Sequence, residues 1–147
     1  TASTKAQDVV APAAPVAAVQ ADGSIAAGMA AGLPVVLDDL QFASGAATLE
    51  DADYPSLLAL TAWLKANPGA VVMLVGHTDA VGGKAANVSL SKRRAESVRQ
   101  VLISRHGIPA AQVSADGVGP LAPRASNLDA AGQAQNRRVE VFVTSTQ

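Results

Sequence analysis

The chain has 147 residues and a net charge of −1, enough for one domain with a real core but not comfortably two. Its hydrophobic content of 49% is largely alanine, and Phe42, Tyr54, Trp63 and Phe142 are its only aromatics, so the expected core is Val, Leu and Ala, and neither a nucleic-acid nor a membrane-surface role is supported. The absence of cysteine excludes disulfides and thiolate metal sites, and no stretch reaches the roughly 18 to 20 apolar residues that span a bilayer.

Residues 1–32 are Ala-rich, carry Pro12, Pro15, Gly23, Gly28 and Gly32, and show no persistent period. They read as a largely disordered tether, with Ile25 to Ala31 able to form a helical turn or two and a packed N-terminal helix as the alternative. Thr1 is not a translation start, so a processed piece is expected, any signal or membrane anchor lying before it. The globular domain is expected over 33–147. Val35-Val36-Leu37 predicts the first strand, with Leu40-Gln41-Phe42 as a candidate extension. Asp51 or Asp53 can cap a helix starting at Tyr54-Pro55, where proline is tolerated. Tyr54, Leu57, Leu58, Leu60, Trp63 and Leu64 give it one broad buried face, and Asn67-Pro68-Gly69 ends it.

Val71 to Val75 is a continuous apolar run that predicts a central strand. Gly76 then allows tight backbone geometry, and Asp79 falls just past the strand's carboxyl end, where α/β sheets commonly bind ligands. The next helix is predicted from about Ser89 to Arg105, with Gly107 and Pro109 as stop signals. At about 100° per residue, Arg94 falls inside the arc set by Leu90, Ala95, Val98, Val101 and Leu102, while Lys92, Arg93, Glu96 and Gln100 share the opposite face. A guanidinium held against the core needs a carboxylate or several acceptors, and Asp79 is the nearest acid in sequence. A third strand is predicted over Gln112 to Val118, then a long connection in which Asp129 can start a short helix. Val139, Val141 and Val143 alternate along the last strand. The order β-α-β-α-β-β predicts a two-layer α/β sandwich, with a mixed four-stranded sheet and both long helices on one face.

The run Gly76-His77-Thr78-Asp79, Gly82, Asn87, Leu90-Ser91 and Arg94-Ala95 resembles the OmpA-like domain found in outer-membrane protein A, peptidoglycan-associated lipoproteins and flagellar stators. Later matches are Gly107-Ile108, Gly117-Val118-Gly119, Pro123, Asn127, Gly132 and Asn136-Arg137-Arg138-Val139-Glu140; with Phe42 and Ala47-Thr48-Leu49 the likeness covers about three quarters of the chain. It implies a domain that binds the diaminopimelate of the peptidoglycan stem peptide, with Asp79 and Arg94 as the acid and arginine that do so. The ammonium and carboxylate on one carbon of that group suit one fixed carboxylate and one guanidinium, each charge-assisted hydrogen bond contributing about 1.5–3 kcal/mol. The alternative is a structural Asp79–Arg94 ion pair.

Asn87 can cap the helix, offer a donor to a peptide carbonyl, or both. Thr78 can contribute a hydroxyl or only a turn. The resemblance also places Arg137 and Phe42 beside the ligand, with Arg138 open to reading as a solvated strand residue. Ala43 stands where many relatives have an acid and Gln133 where they commonly have arginine, the latter position reading as structural.

His77 is expected to fix its loop by a hydrogen bond; with His106 the only other histidine, a metal site is not expected. The Gly76 to Lys84 segment fails as a phosphate-binding loop, since Thr78 stands where glycine is required and Ala85 where Ser or Thr is. No Gly-x-Ser-x-Gly elbow is present, and no pair of acids is marked for hydrolysis. The expectation is a non-catalytic module without cofactor, in the periplasm of a Gram-negative bacterium and associated with the outer membrane, anchoring an envelope protein to the cell wall. Docking of another envelope protein is the alternative, and an envelope hydrolase the third reading.

Overall fold

The computed structural model describes residues 23–50 and 52–146. The elements, in order, are α1 (Gly23–Ala30), β1 (Val35–Val36), α2 (Pro55–Ala66), β2 (Val71–Gly76), α3 (Lys84–Ser104), a 3-10 turn (Ala110–Gln112), β3 (Val113–Gly117), α4 (Ala130–Asn136) and β4 (Val139–Ser145). The sheet order is β1-β4-β2-β3. Strand β2 runs parallel to β3 and antiparallel to β4, which pairs antiparallel with β1, so the sheet is mixed as expected.

One face of the sheet carries the core. Val72 and Leu74 of β2 and Val139 and Val141 of β4 are fully buried against Leu57, Leu60 and Leu64 of α2 and Ala95, Val98 and Leu102 of α3. The other face is only half covered, since Val71, Met73 and Val75 remain partly exposed. The β2 run is thus the inner half of an alternation whose outer half also happens to be apolar.

Helix α3 lies unusually close to the sheet. A Cβ at Gly76 would sit 1.8 Å from the Ser91 carbonyl oxygen, and one at its register partner Gly117 would sit 2.2 Å from Ser91 Oγ. The glycine pair is the seat on which Ser91 rests. Ser91 Oγ also accepts the Gly119 N–H at 2.9 Å, tying the helix to the turn after β3. Gly76 is therefore required for helix approach more than for a tight turn.

Several expectations shift. The packed domain begins before Leu33, because Ile25 and Met29 of α1 are buried in the core; the rest of the expected tether, residues 1–22, lies outside the described residues. Strand β1 stops at Val36: Leu37, Leu40 and Phe42 are buried, but a turn with Leu40 N–H on the Leu37 carbonyl replaces extended backbone. Helix α2 is not capped by Asp53, which pairs with Arg105, and Asp51 lies outside the described residues; Tyr54 is the N-cap residue and distant Asp39 accepts the Ser56 N–H at 2.8 Å. Leu58 is off the buried stripe and 48% exposed.

The largest shift concerns α3, which begins at Lys84 and takes Gly83 as its N-cap residue, about a turn before the expected start. Asn87 therefore sits within the helix and does not cap it. Asp129 does cap α4, accepting the Gly132 N–H at 2.7 Å.

Candidate functional site

At the carboxyl end of β2 the chain is held by main-chain bonds on both sides: His77 N–H donates to the Arg138 carbonyl at 2.8 Å and Thr78 N–H to the Gly119 carbonyl at 3.0 Å. Thr78 is buried, and its hydroxyl donates to the Asp79 carbonyl at 2.8 Å. These bonds fix Asp79, which is only 4% exposed. Its Oδ1 accepts the Val81 N–H at 3.1 Å and its Oδ2 accepts Arg137 Nη1 at 2.7 Å. The following turn is held from two more directions: Asn127 Oδ1 accepts the Ala80 N–H at 3.2 Å, and Asn87 Nδ2 donates to the Val81 carbonyl at 2.8 Å.

Arg94, one turn beyond the Ser91 seat, is fully buried. Its Nε donates to the Ala46 carbonyl at 2.7 Å, Nη2 to the Ala43 carbonyl at 3.0 Å and Nη1 to the His77 carbonyl at 3.1 Å. The Phe42 ring lies 5.2 Å from the guanidinium carbon. Burial lowers the Arg94 pKa to about 10, with Arg137 and Arg93 adding to the effect and Asp79 opposing it, so the group is charged at neutral pH. Three acceptors offset part of the cost of burying that charge.

Arg137 joins the two halves. Its Nη1 is on Asp79 while its Nε donates to the Phe42 carbonyl at 3.0 Å. Asp79, Arg94, Asn87, Thr78, Arg137 and Phe42 are thus brought together at one end of the sheet. The alternative reading, a structural Asp79–Arg94 ion pair, is not what forms, because Arg94 is satisfied by carbonyls and Asp79 by Arg137.

Other residues depart from expectation. The loop at His77 is fixed by its main chain rather than by its ring, and its carbonyl carries one of the Arg94 bonds. Burial lowers the His77 pKa to about 4; Arg138 adds to this, and Glu140 and the Ala122 carbonyl oppose it. Arg138 is not a solvated strand residue but 6% exposed, with Nε on Glu140 Oε2 at 2.6 Å and Nη2 on the Ala122 carbonyl at 3.0 Å. Arg138 immediately precedes β4, and the strand's period of two carried back by one residue places it on one face with Glu140, so that pair was readable.

Sequence reasoning missed the carbonyls of Ala43 and Ala46, for which no side-chain signal exists, and the role of Asn136. That side chain is fully buried: its Oδ1 accepts the Arg124 and Ala125 N–H groups, and its Nδ2 donates to the Ala125 carbonyl and to Asn127 Oδ1. It folds the connection after β3 so that Asn127 reaches Ala80. Gln133 supports the same connection through the Asn127 carbonyl.

The OmpA family profile matches residues 41–137, which contain Phe42, Thr78, Asp79, Asn87, Arg94 and Arg137. The chain is 41% identical over 107 residues to the probable lipoprotein YiaD of Escherichia coli (strain K12), covering 73% of this chain and 48% of that protein. It is 39% identical over 105 residues to the peptidoglycan-associated lipoprotein of Legionella pneumophila, covering 71% and 59% respectively. Among solved structures, the peptidoglycan-associated lipoprotein from Burkholderia pseudomallei superimposes with a TM-score of 0.66 at 31% identity, covering 71% of this chain and 88% of that one. The chain spans less than two thirds of the length of either sequence relative. On the matched span, and on the four-stranded mixed sheet that carries it, this chain belongs to the OmpA family.

Proposed function

We propose that this domain binds peptidoglycan without catalysis, through the diaminopimelate of the stem peptide, and anchors an envelope protein to the cell wall in the periplasm. The observation that carries the reading is the placing of Asp79, three residues past β2, and Arg94, on α3, at one end of the sheet, where Arg94 bonds the His77 carbonyl and Arg137 bonds Asp79, all within the matched family span. A carboxylate and a guanidinium fixed on neighbouring elements suit a zwitterionic amino-acid head group, and neither needs to exchange a proton to hold it. The intrinsic affinity of two such contacts is modest, because lost freedom offsets part of the gain. Retention then comes from the many equivalent sites of the polymer.

Asp79→Asn preserves shape while removing the charge, and it is expected to abolish pulldown by purified sacculi; full retention by the folded variant would remove the site. Sacculi carrying lysine in place of diaminopimelate should bind worse, and added salt should weaken binding.

A second reading, docking of another envelope protein, is favoured by two observations. Arg94 has no exposure, and Val81, Leu121 and Leu128 are 55%, 61% and 96% exposed on the two loops that meet at the Ala80–Asn127 bond. Binding of purified sacculi that survives Val81→Ser and Leu121→Ser but not Asp79→Asn excludes it.

A further inference from the structure

Arg94 presents Nε and Nη2 along one edge of its guanidinium, the edge a carboxylate takes with its two oxygens. Here that edge is filled by two carbonyls from a single turn, Ala46 on Nε at 2.7 Å and Ala43 on Nη2 at 3.0 Å. The turn is closed by the Ala46 N–H on the Ala43 carbonyl at 3.0 Å, with Gly45 at φ +76° allowing the reversal. Two further side chains hold the same segment: Arg137 Nε on the Phe42 carbonyl, and Ser97 Oγ on the Ala47 carbonyl at 2.7 Å.

Residues 43 to 45 are exposed on their outer side, whereas Arg94 beneath is fully buried. Along its far side the segment borders an open cleft of about 700 Å³, lined by Gly45, Thr48, Leu49, Glu96, Gln100 and Ser104. The segment has room to move in that direction.

We propose that residues Phe42 to Ala47 form a strap that occupies the binding site of the unliganded domain, its two carbonyls standing in for the ligand's carboxylate on Arg94, and that ligand enters by displacing it toward the cleft. The proposal rests on the reading of the site as a diaminopimelate cradle. Exchange is favourable at Arg94 because an ionised carboxylate accepts more strongly than two neutral carbonyls, while the cost is the lost order of the strap. Because Arg137 bonds both Phe42 and Asp79, strap release loosens the hold on both charged groups together. A simple amine, which offers nothing to Arg94, does not drive the exchange.

The chain lacks cysteine, so one engineered pair can lock the strap without competing thiols. In the full chain, Ala47→Cys with Ser97→Cys sets a thiol on each side of the Ser97–Ala47 contact, and oxidation of the pair ties the segment to α3. Titration with meso-diaminopimelate, followed by NMR, is expected to show the reduced double variant binding at least as tightly as the parent chain and the oxidised form about tenfold or more weaker. Independently, Ser97→Ala, which removes one strap anchor, is expected to tighten binding by about threefold. Equal affinity of the oxidised and reduced forms, or weaker binding by Ser97→Ala, overturns the strap while leaving the peptidoglycan reading intact. Failure of the parent chain itself to bind meso-diaminopimelate overturns that reading and the strap with it.

Discussion

Arg94 shows how a residue's character can be read from sequence while its partners cannot. Its place within the apolar arc of a helix requires burial, and burial requires acceptors, but nothing in the pattern distinguishes a carboxylate from main-chain carbonyls supplied about fifty residues upstream. His77 carries a residue-scale prediction. Its folded pKa of about 4 lies below the ordinary value of 6.5, so the fold favours the neutral ring. The resulting stability is fully present above about pH 6.5 and is lost as pH falls through 4, a loss on the order of 3 kcal/mol. Urea unfolding midpoints measured between pH 7 and 4 should therefore fall more steeply for the parent chain than for His77→Gln. Parallel curves would show that the ring titrates alike in both states.

At the scale of elements, helix α3 is recognisable by its stripe, yet its first turn carries no sequence signal, because Lys84 to Val88 hold no buried apolar residue before the stripe begins at Leu90. Helix formation there goes with Gly83 in extended geometry and the bond of Asn87 to the Val81 carbonyl six residues earlier, local main-chain features that no apolar period marks. The depth at which α3 sits is decided by two glycines 41 residues apart, which meet only because β2 and β3 pair in register. Gly76→Ala would press a methyl into the Ser91 carbonyl and is expected to cost about 3 kcal/mol or more in urea unfolding. Gly83→Ala, whose added carbon meets nothing, should cost at most about 1 kcal/mol. Comparable losses in the two would show that helix approach is not limiting. Since Arg94 lies one turn beyond Ser91, the Gly76 change should also weaken diaminopimelate binding beyond its effect on stability.

For the whole molecule, the N-terminal boundary belongs to packing. Ile25 and Met29 sit among small residues with no clear period, so their burial against the core, with α1 resting on α2, could not be anticipated from local pattern. A chain begun at Leu33 is expected to unfold at distinctly lower urea than one begun at Gly23, and Ile25→Ala alone should cost about 2–5 kcal/mol. Unchanged midpoints would return α1 to the tether. The sequence by itself determined the order of the main strands and helices, the central strand and the inward-facing valines and leucines, because periodicity is a local property carried by side chains, while the six residues that gather at the sheet end were named through the resemblance to a known family. Only the tertiary structure decided that Asp79 faces Arg137, that Arg94 is met by the Ala43, Ala46 and His77 carbonyls, and that α1 joins the core. Those outcomes depend on main-chain carbonyls and long-range packing, and neither leaves a mark on the order of residues.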